Sequence, residues 1–287
     1  MSVKINNFIK SILPKPVLRW LKNYRKKLRV KSFFSTKNKK YRVKEMLVED
    51  VRYQINLEPF ANAGVDYVIY HEGGWEPHIS RVIKRYLPRE GTFLDIGANI
   101  GYHTLFAASY LNEKGQVWAF EPIPWLVTQL RSSLKLNNLD NVQIENYALG
   151  DHNEKTEISI IDGNIGASRL GSVLSEERVA AKIPVAVTTL DSYQEQFGRL
   201  DVVKIDVEGR ELEALRGGRH LLEKFHPVIV MEFSPSIYEA DYQGKAKDLI
   251  SFLTALGYRF YDSKTNEELS VEQILSSDLE QQDIVCR

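Results

Sequence analysis

The chain has 287 residues, of which 43% are hydrophobic and 26% are charged. This composition excludes a wholly disordered or fibrous chain, and the length suits one large α/β domain. The lone cysteine, Cys286, excludes an intrachain disulfide and a multi-cysteine metal site. Since no apolar run approaches the roughly 20 residues that span a bilayer, we expect a cytoplasmic protein.

The net charge is zero, but the charges are unevenly distributed. Residues 1–44 contain fifteen Lys or Arg and no Asp or Glu, and their apolar residues recur at helical spacing on both sides of Pro14 and Pro16. A basic amphipathic arm of this kind suits peripheral contact with the inner, anionic face of a membrane. Docking on the acidic remainder of the chain and attraction of nucleic acid are the alternatives.

Between residue 45 and the first predicted strand, we expect a helical lead-in that ends at residue 90. The segment Tyr70–Pro77 combines aromatic, acidic and glycine residues and is predicted to form a lid over an acceptor. Within it, Glu76 stands directly before Pro77, where it could instead cap the next helix.

After Gly91, short apolar runs alternate with segments of helical periodicity, which is typical of βαβ units around a parallel sheet. Residues 150–190 differ, because their alternating apolar positions predict a β-rich insertion with a mobile loop near Asn164–Ser172. We therefore expect residues 91–287 to form a doubly wound α/β domain. Its mostly parallel seven-stranded sheet would carry helices on both faces.

The segment DIGANIG, Asp95–Gly101, lies directly between a predicted strand and a helix, where doubly wound folds bind ligands. Gly97 and Gly101 allow a ligand to approach the backbone, and Asp95 could accept hydrogen bonds from an amine. The spacing differs from the dinucleotide fingerprint G-x-G-x-x-G. This difference disfavours NAD and FAD.

Glu121 stands at the end of the second predicted strand, where a carboxylate can accept hydrogen bonds from both hydroxyls of a ribose. Either feature alone is compatible with a tight turn or a helix cap. Together they predict a ligand that contains adenosine without pyrophosphate.

Four blocks of sequence resemble the FkbM-type methyltransferases. They are Phe93–Thr104 (FLDIGANIGYHT), Phe120–Pro122 (FEP), Asn146–Asp151 (NYALGD) and Thr189–Gly218, which contains TLDSY, KIDVEG and LRGG. The resemblance covers roughly residues 65–235 and depends on the order of the blocks and on the pairing of DIGANIG with KIDVEG. It implies a Rossmann-like class I methyltransferase fold, S-adenosyl-L-methionine as cofactor, and a sugar or natural-product hydroxyl as acceptor.

The resemblance also implies which residues hold the cofactor. Glu121 would bind the ribose, and Asp206 would approach the methyl group. The residues implied around the methionine part are Asp95, Gly97, Asn99 and Gly101, and those implied around the adenine are Pro122, Ile123, Asn146, Tyr147 and Ala148.

Methylation of a hydroxyl requires removal of its proton, so a carboxylate, a histidine or a metal near the acceptor has a definite task. Asp206 and Glu208 end the fourth predicted strand and are candidate catalytic residues. His103 and Glu232 are further candidates, although such a histidine can also serve only in packing. Asp206 and Glu232 could together bind Mg²⁺, at positions resembling those of metal-dependent catechol-type enzymes, but metal-independent catalysis is the primary expectation.

The acceptor site is the least defined part of the sequence. Candidates for a sugar-binding lining are Trp75, Tyr102, Ser234 and Tyr238. An RNA-directed methyltransferase that uses the basic arm is an alternative, but the domain is acidic and carries no RNA-binding motif. A non-enzymatic nucleotide-binding scaffold is a further alternative, which the joint presence of the motif residues disfavours.

Overall fold

The structure is a computed structural model, and it describes residues 42–58, 64–170, 178–233, 245–276 and 282–287. Most of the predicted arm, residues 1–41, lies outside these ranges, as do Ser234, Tyr238 and the last two residues of the predicted mobile loop. Within the described ranges, no helix is long and apolar enough to cross a bilayer.

The elements are numbered in chain order. The strands are β1 (Arg42–Val48), β2 (Val51–Leu57), β3 (Thr92–Ile96), β4 (Gln116–Phe120), β5 (Val142–Glu145), β6 (Ala148–Leu149), β7 (Glu154–Ile161), β8 (Arg169–Leu170), β9 (Val179–Thr188), β10 (Val202–Ile205), β11 (Val228–Phe233), β12 (Phe260–Asp262), β13 (Glu268–Leu269) and β14 (Gln282–Cys286). The helices are α1 (Val65–Glu72), α2 (Pro77–Tyr86), α3 (Tyr102–Tyr110), α4 (Pro124–Asn137), α5 (Glu211–Arg216), α6 (Arg219–Phe225), α7 (Lys245–Ala255) and α8 (Val271–Leu275).

The lead-in, predicted as a lid with helices, begins with an antiparallel hairpin, β1 and β2, which the sequence analysis did not predict. The predicted boundary at residue 44 falls inside β1. The hairpin forms because β2 alternates between exposed side chains and side chains buried against α3 and α4. Its backbone is tied to α4, since the Asn56 N–H donates to Ser133 Oγ at 3.0 Å. Helices α1 and α2 then follow, as predicted for the rest of the lead-in.

The largest sheet in the described residues has the strand order β13-β12-β14-β11-β10-β3-β4-β5. The five strands from β11 to β5 are parallel, and β14, β12 and β13 run antiparallel to their neighbours. This arrangement confirms the predicted α/β architecture with a mostly parallel sheet. It contains eight strands rather than the expected seven, because the two-residue strand β13 is added at the edge.

Each central strand is buried on both faces, which its alternating side chains show directly. Val117 and Ala119 of β4 pack with α3 and α4 on one face, whereas Trp118 and Phe120 pack with the cluster of α5 to α8 on the other. Successive side chains of a strand point to opposite faces, and continuous apolar strands are typical of sheets covered by helices on both sides. The sheet is therefore the rigid centre of the molecule.

The predicted β-rich insertion is present as a second sheet with the order β6-β9-β7-β8. Strands β7 and β9 pair antiparallel along most of their length. Strand β5 ends at Glu145, and Ala148–Leu149 pairs with β9 of the insertion. The insertion thereby places β8 and the turn at residues 165–167 beside the carboxyl end of the main sheet.

Candidate active site

The carboxyl ends of β3, β4, β10 and β11 open at the same edge of the sheet because these strands are parallel. Two clefts meet there, with empty volumes of about 640 Å³ and 1070 Å³ including the part open to solvent. Residues that line both clefts include Gly97, Asn99, Asp206 and Glu208. Groups bound in the two clefts would therefore meet over these residues.

Gly97 is the point where three strand ends come together. Its φ is +78°, and a Cβ at this position would lie 1.9 Å from the carbonyl oxygen of Asp206. Its N–H donates to the carbonyl oxygen of Phe120 at 2.9 Å, and the Asp206 N–H donates to that of Ile96 at 3.0 Å. Only glycine combines this left-handed backbone with such a close approach, which explains the glycine that the sequence analysis singled out.

Glu121 lies in the first cleft at the end of β4, and its side chain is buried. Its two carboxylate oxygens accept hydrogen bonds at 2.8 Å from the Asn99 and Ile123 N–H groups. Burial raises the pKa of Glu121 to about 7, against the effect of these hydrogen bonds. Each oxygen keeps a second lone pair, so the carboxylate can also accept from two neighbouring hydroxyls, as a ribose requires.

Of the five residues predicted around the adenine, four line the first cleft and one does not. Pro122, Ile123, Tyr147 and Ala148 line the first cleft, together with apolar side chains of the main sheet and the insertion. Asn146 is not among the lining residues, and its contact with the cofactor stays a prediction. Its Nδ2 donates to the carbonyl oxygens of Glu121 and Pro122, at 2.8 and 3.0 Å, so this residue fixes the turn that carries Glu121.

Asp95 and Gly101 also line neither cleft, and their contact with the methionine part of the cofactor stays a prediction. Asp95 is 1% exposed, and its Oδ2 accepts from Thr104 Oγ1 at 2.6 Å. A Cβ on Gly101 would lie 2.1 Å from Leu130 Cδ1, so this glycine allows α3 to pack against α4. Asp95 and Gly101 therefore support the turn through packing and hydrogen bonding, whereas Gly97 and Asn99 line the clefts.

Lys204, which the sequence analysis did not single out, lies beneath the junction of the two clefts. Its Nζ donates to the Gly97 carbonyl oxygen at 3.2 Å and is 3.7 Å from Asp95 Oδ1 and 3.5 Å from Asp206 Oδ2. Burial opposes the charged form, but Asp206 and Asp95 outweigh it and raise the pKa of Lys204 above its ordinary value. The available signal was a lysine inside an otherwise apolar strand, VVKI, where an unpaired charge would be costly.

The second cleft is rich in carboxylates, and their environments differ. Burial and the neighbouring carboxylates raise the pKa of Glu232 to about 9. Burial also raises the pKa of Asp206, against the effect of Lys204. At Glu76, the same effect of burial is outweighed by His103 and Lys204, so its pKa lies below the ordinary value. The structure therefore favours ionised Glu76 and protonated Glu232 at neutral pH.

Two more predicted residues reach the second cleft with partners from distant parts of the chain. His103, 4% exposed at the start of α3, has Nε2 at 3.4 Å from Oε2 of Glu76. Glu208 has Oε2 at 3.4 Å from Nη2 of Arg169, which comes from the insertion and is 2% exposed. Arg169 was also missed, because only the folded insertion brings it to the site. Trp75 and Tyr102 line the same cleft, as predicted for an acceptor site.

Metal binding by Asp206 and Glu232 stays a prediction, and the group of three described carboxylates that could share an ion contains Glu232 but not Asp206. In the described part of the chain, the carboxylates close enough to share an ion are those of Glu76, Glu232 and Asp283, with oxygens within 4.8 Å of one another. Asp206 faces the ammonium group of Lys204 instead. Lys204 therefore places a buried positive charge beside Asp206.

Comparison with known proteins identifies the chain. The description of the family model that matches residues 95–260 is Methyltransferase FkbM domain. Hexuronic acid methyltransferase AglP of Haloferax volcanii is 27% identical over 157 residues, which are 54% of this chain and 61% of AglP. The 2-O-methyltransferase NoeI of Sinorhizobium fredii is 28% identical over 160 residues, which are 51% of this chain and 65% of NoeI.

The alignments span less than two thirds of the length of either relative. A crystal structure of Methyltransferase FkbM from Methylobacillus flagellatus matches with a TM-score of 0.44 at 14% identity, over 72% of this chain and 50% of that chain. The family model covers more than half of this chain and includes the residues at which the two clefts meet. The chain belongs to the FkbM family of methyltransferases.

Proposed function

We propose that this protein is an S-adenosyl-L-methionine-dependent O-methyltransferase that methylates a hydroxyl of a sugar or glycan. The observation that carries this proposal is the pair of clefts that share Gly97, Asn99, Asp206 and Glu208. One cleft suits a nucleoside, the other suits a polar acceptor, and a group could pass directly between them. The family assignment supports methyl transfer as the reaction.

The first cleft fits the cofactor by the chemistry of its lining. Glu121 offers two acceptor oxygens for the ribose hydroxyls, and the apolar side chains of Phe120, Ile123 and Leu126 suit the adenine ring. When bound, the cofactor supplies a methyl group on a positively charged sulfur. The residues of this chain would hold it beside the floor that the two clefts share, where positioning can contribute much of the rate.

The second cleft fits a polyhydroxylated acceptor. Trp75 and Tyr102 provide aromatic surface, while Glu76, Asp206 and Glu208 provide acceptors for hydroxyl hydrogen bonds. A relative is named for hexuronic acid and another for 2-O-methylation, which supports a sugar hydroxyl as the target. RNA is disfavoured because the carboxylates of this cleft would repel its phosphates.

The first test is binding, by calorimetry with S-adenosyl-L-methionine, S-adenosylhomocysteine and NAD. We expect the first two to bind and NAD not to bind. Transfer of tritiated methyl from the cofactor is then measured on three acceptor sets, namely neutral methyl hexosides, methyl hexuronides and short RNA oligonucleotides. Label in an alkali-stable ether of a glycoside supports the proposal. Label confined to RNA, or to an alkali-labile methyl ester, contradicts it.

A further inference from the structure

Glu76 has an unusual backbone conformation next to the second cleft. Its φ and ψ are 40° and 60°, in the left-handed region, and it directly precedes Pro77, the first residue of α2. A side chain at positive φ is strained, and a following proline further favours an extended backbone. Such strain persists only where the surrounding structure imposes it, and it is concentrated at functional sites.

The alternative explanation, that Glu76 caps α2, does not hold. Its side chain makes no capping hydrogen bond with the helix. The left-handed backbone turns it instead toward the cleft, where Oε2 lies 3.4 Å from Nε2 of the buried His103. Glu76 lines both the second cleft and a smaller adjoining pocket beside Glu232. The conformation therefore places a carboxylate over the acceptor cleft.

The charges around this carboxylate keep it ionised. Burial works against the charge, but His103, Lys204 and His78 outweigh burial and lower the pKa of Glu76. Glu232, by contrast, has its pKa raised to about 9. At neutral pH the ionised Glu76 can accept a proton, whereas Glu232 already carries one.

We propose that Glu76 is the catalytic residue that accepts the proton of the acceptor hydroxyl during methyl transfer. This inference depends on the proposed function and names a residue outside the family match, which begins at Asp95. The acceptor oxygen bonds to the methyl carbon, while the carbon–sulfur bond breaks and its electron pair stays on sulfur. The O–H bond breaks as well, and its proton passes to the Glu76 carboxylate.

An ionised carboxylate of lowered pKa is sufficient for this step. A hydroxyl oxygen becomes strongly acidic as its new bond to carbon forms, so the proton moves downhill to Glu76 late in the reaction. His103, the base suggested by the sequence, instead pairs with Glu76 through Nε2. Glu76 thus reaches, from the lead-in, a cleft most of whose lining belongs to the matched domain.

The test compares the full-length protein with its Glu76→Gln and Glu76→Asp variants on whichever methyl glycoside is methylated. Glu76→Gln should lower kcat by about 100-fold or more, the usual contribution of general-base catalysis. The KM for the glycoside and the Kd for S-adenosylhomocysteine should change by less than about threefold, since an isosteric amide keeps the lining. Glu76→Asp keeps the carboxylate and should recover part of kcat.

Glu49→Gln is the matched control, because Glu49 is also a glutamate at positive φ but lies in the hairpin turn, outside both clefts. It should leave kcat unchanged. For Glu76→Gln, kcat should also rise steadily from pH 6.5 to pH 8, below the pKa of Glu232, since hydroxide replaces the missing base, while the wild-type kcat stays flat. A merely structural role would not produce this difference.

A further variant separates misfolding from loss of the base. Glu76→Gly relieves the left-handed strain, so its Tm should equal or exceed that of the wild type, while kcat falls as in Glu76→Gln. If Glu76→Gln keeps wild-type kcat on an active acceptor, the proposal is overturned and the proposed function stands. If the wild type binds the cofactor but methylates no glycoside, the proposed function fails. This inference then fails as well, because it depends on that function.

Discussion

Replacing Lys204 with methionine tests the charge arrangement beneath the active site. Methionine keeps an unbranched side chain but removes the ammonium group between Asp95 and Asp206. Lys204 and Asp95 are 7% and 1% exposed, so solvent cannot replace the lost charge. Breaking a buried ion pair on one side costs about 3–5 kcal/mol. At roughly 2–4 °C per kcal/mol for a chain of this size, the Tm should fall by about 6–20 °C.

The assays are thermal unfolding for the Tm and urea unfolding for the free energy, both followed by circular dichroism, with Lys155→Met as control because Lys155 is exposed on the insertion. The control should change the free energy of unfolding by less than about 0.5 kcal/mol. Lys204 lowers the pKa of Asp206, so its removal raises that pKa further in the folded state. A carboxyl with a raised folded-state pKa loses stability as pH increases.

The deficit of Lys204→Met, meaning its loss in free energy of unfolding relative to wild type, should therefore become smaller as pH falls from 7 toward 4. A deficit below about 1 kcal/mol at pH 7 would refute the buried ion-pair reasoning, given the expected cost of breaking such a pair. A deficit of the expected size that does not change with pH would refute the role assigned to Asp206.

Three further predictions follow from the structure. Gly97→Ala places a Cβ 1.9 Å from a backbone oxygen at positive φ and should destabilise the protein by about 2–5 kcal/mol in the same urea assay; a loss below 1 kcal/mol would contradict this close approach. Glu121→Ala should raise the Kd for S-adenosyl-L-methionine by at least about tenfold in calorimetry, as expected for lost charge-assisted hydrogen bonds, with the exposed Glu113→Ala as control; an unchanged Kd would remove the ribose assignment. Glu232 has a pKa raised from 4.5 to about 9, so its stabilising contribution is complete below pH 4.5 and is lost as pH rises through 9. Glu232→Gln should thus gain stability relative to wild type between these pH values, and a constant difference would contradict the shift.

A truncation that tests membrane binding by the basic arm should end at residue 41 rather than at residue 44. Residues 42–44 belong to β1, and Lys44 Nζ donates to the carbonyl oxygens of Ile69 and Tyr70. We expect deletion of residues 1–41 to abolish cosedimentation with phosphatidylserine-containing vesicles and to leave the Kd for the cofactor unchanged. Binding to neutral vesicles that does not depend on salt would contradict the polybasic mechanism.

The sequence by itself determined the features that depend on local patterns. The alternation of short apolar runs with segments of helical periodicity predicted the mostly parallel α/β core, and the structure confirms it. Glu121 could be located because a strand end next to a fingerprint turn has a known geometry. The roles assigned to Asp206, Glu208 and His103 stay predictions, although all three line the second cleft.

Only the tertiary structure decided which side chains share that cleft. Glu76 arrives from the lead-in, Arg169 from the insertion and Lys204 from β10, and no sequence spacing relates them. The motif position of Asp95 suggested a ligand contact, which stays a prediction. Its burial against Thr104 and Lys204 became visible only in the tertiary structure. The physical reason is that periodicity and turn chemistry act between near neighbours in sequence, whereas burial and charge pairing depend on residues that are close only after folding.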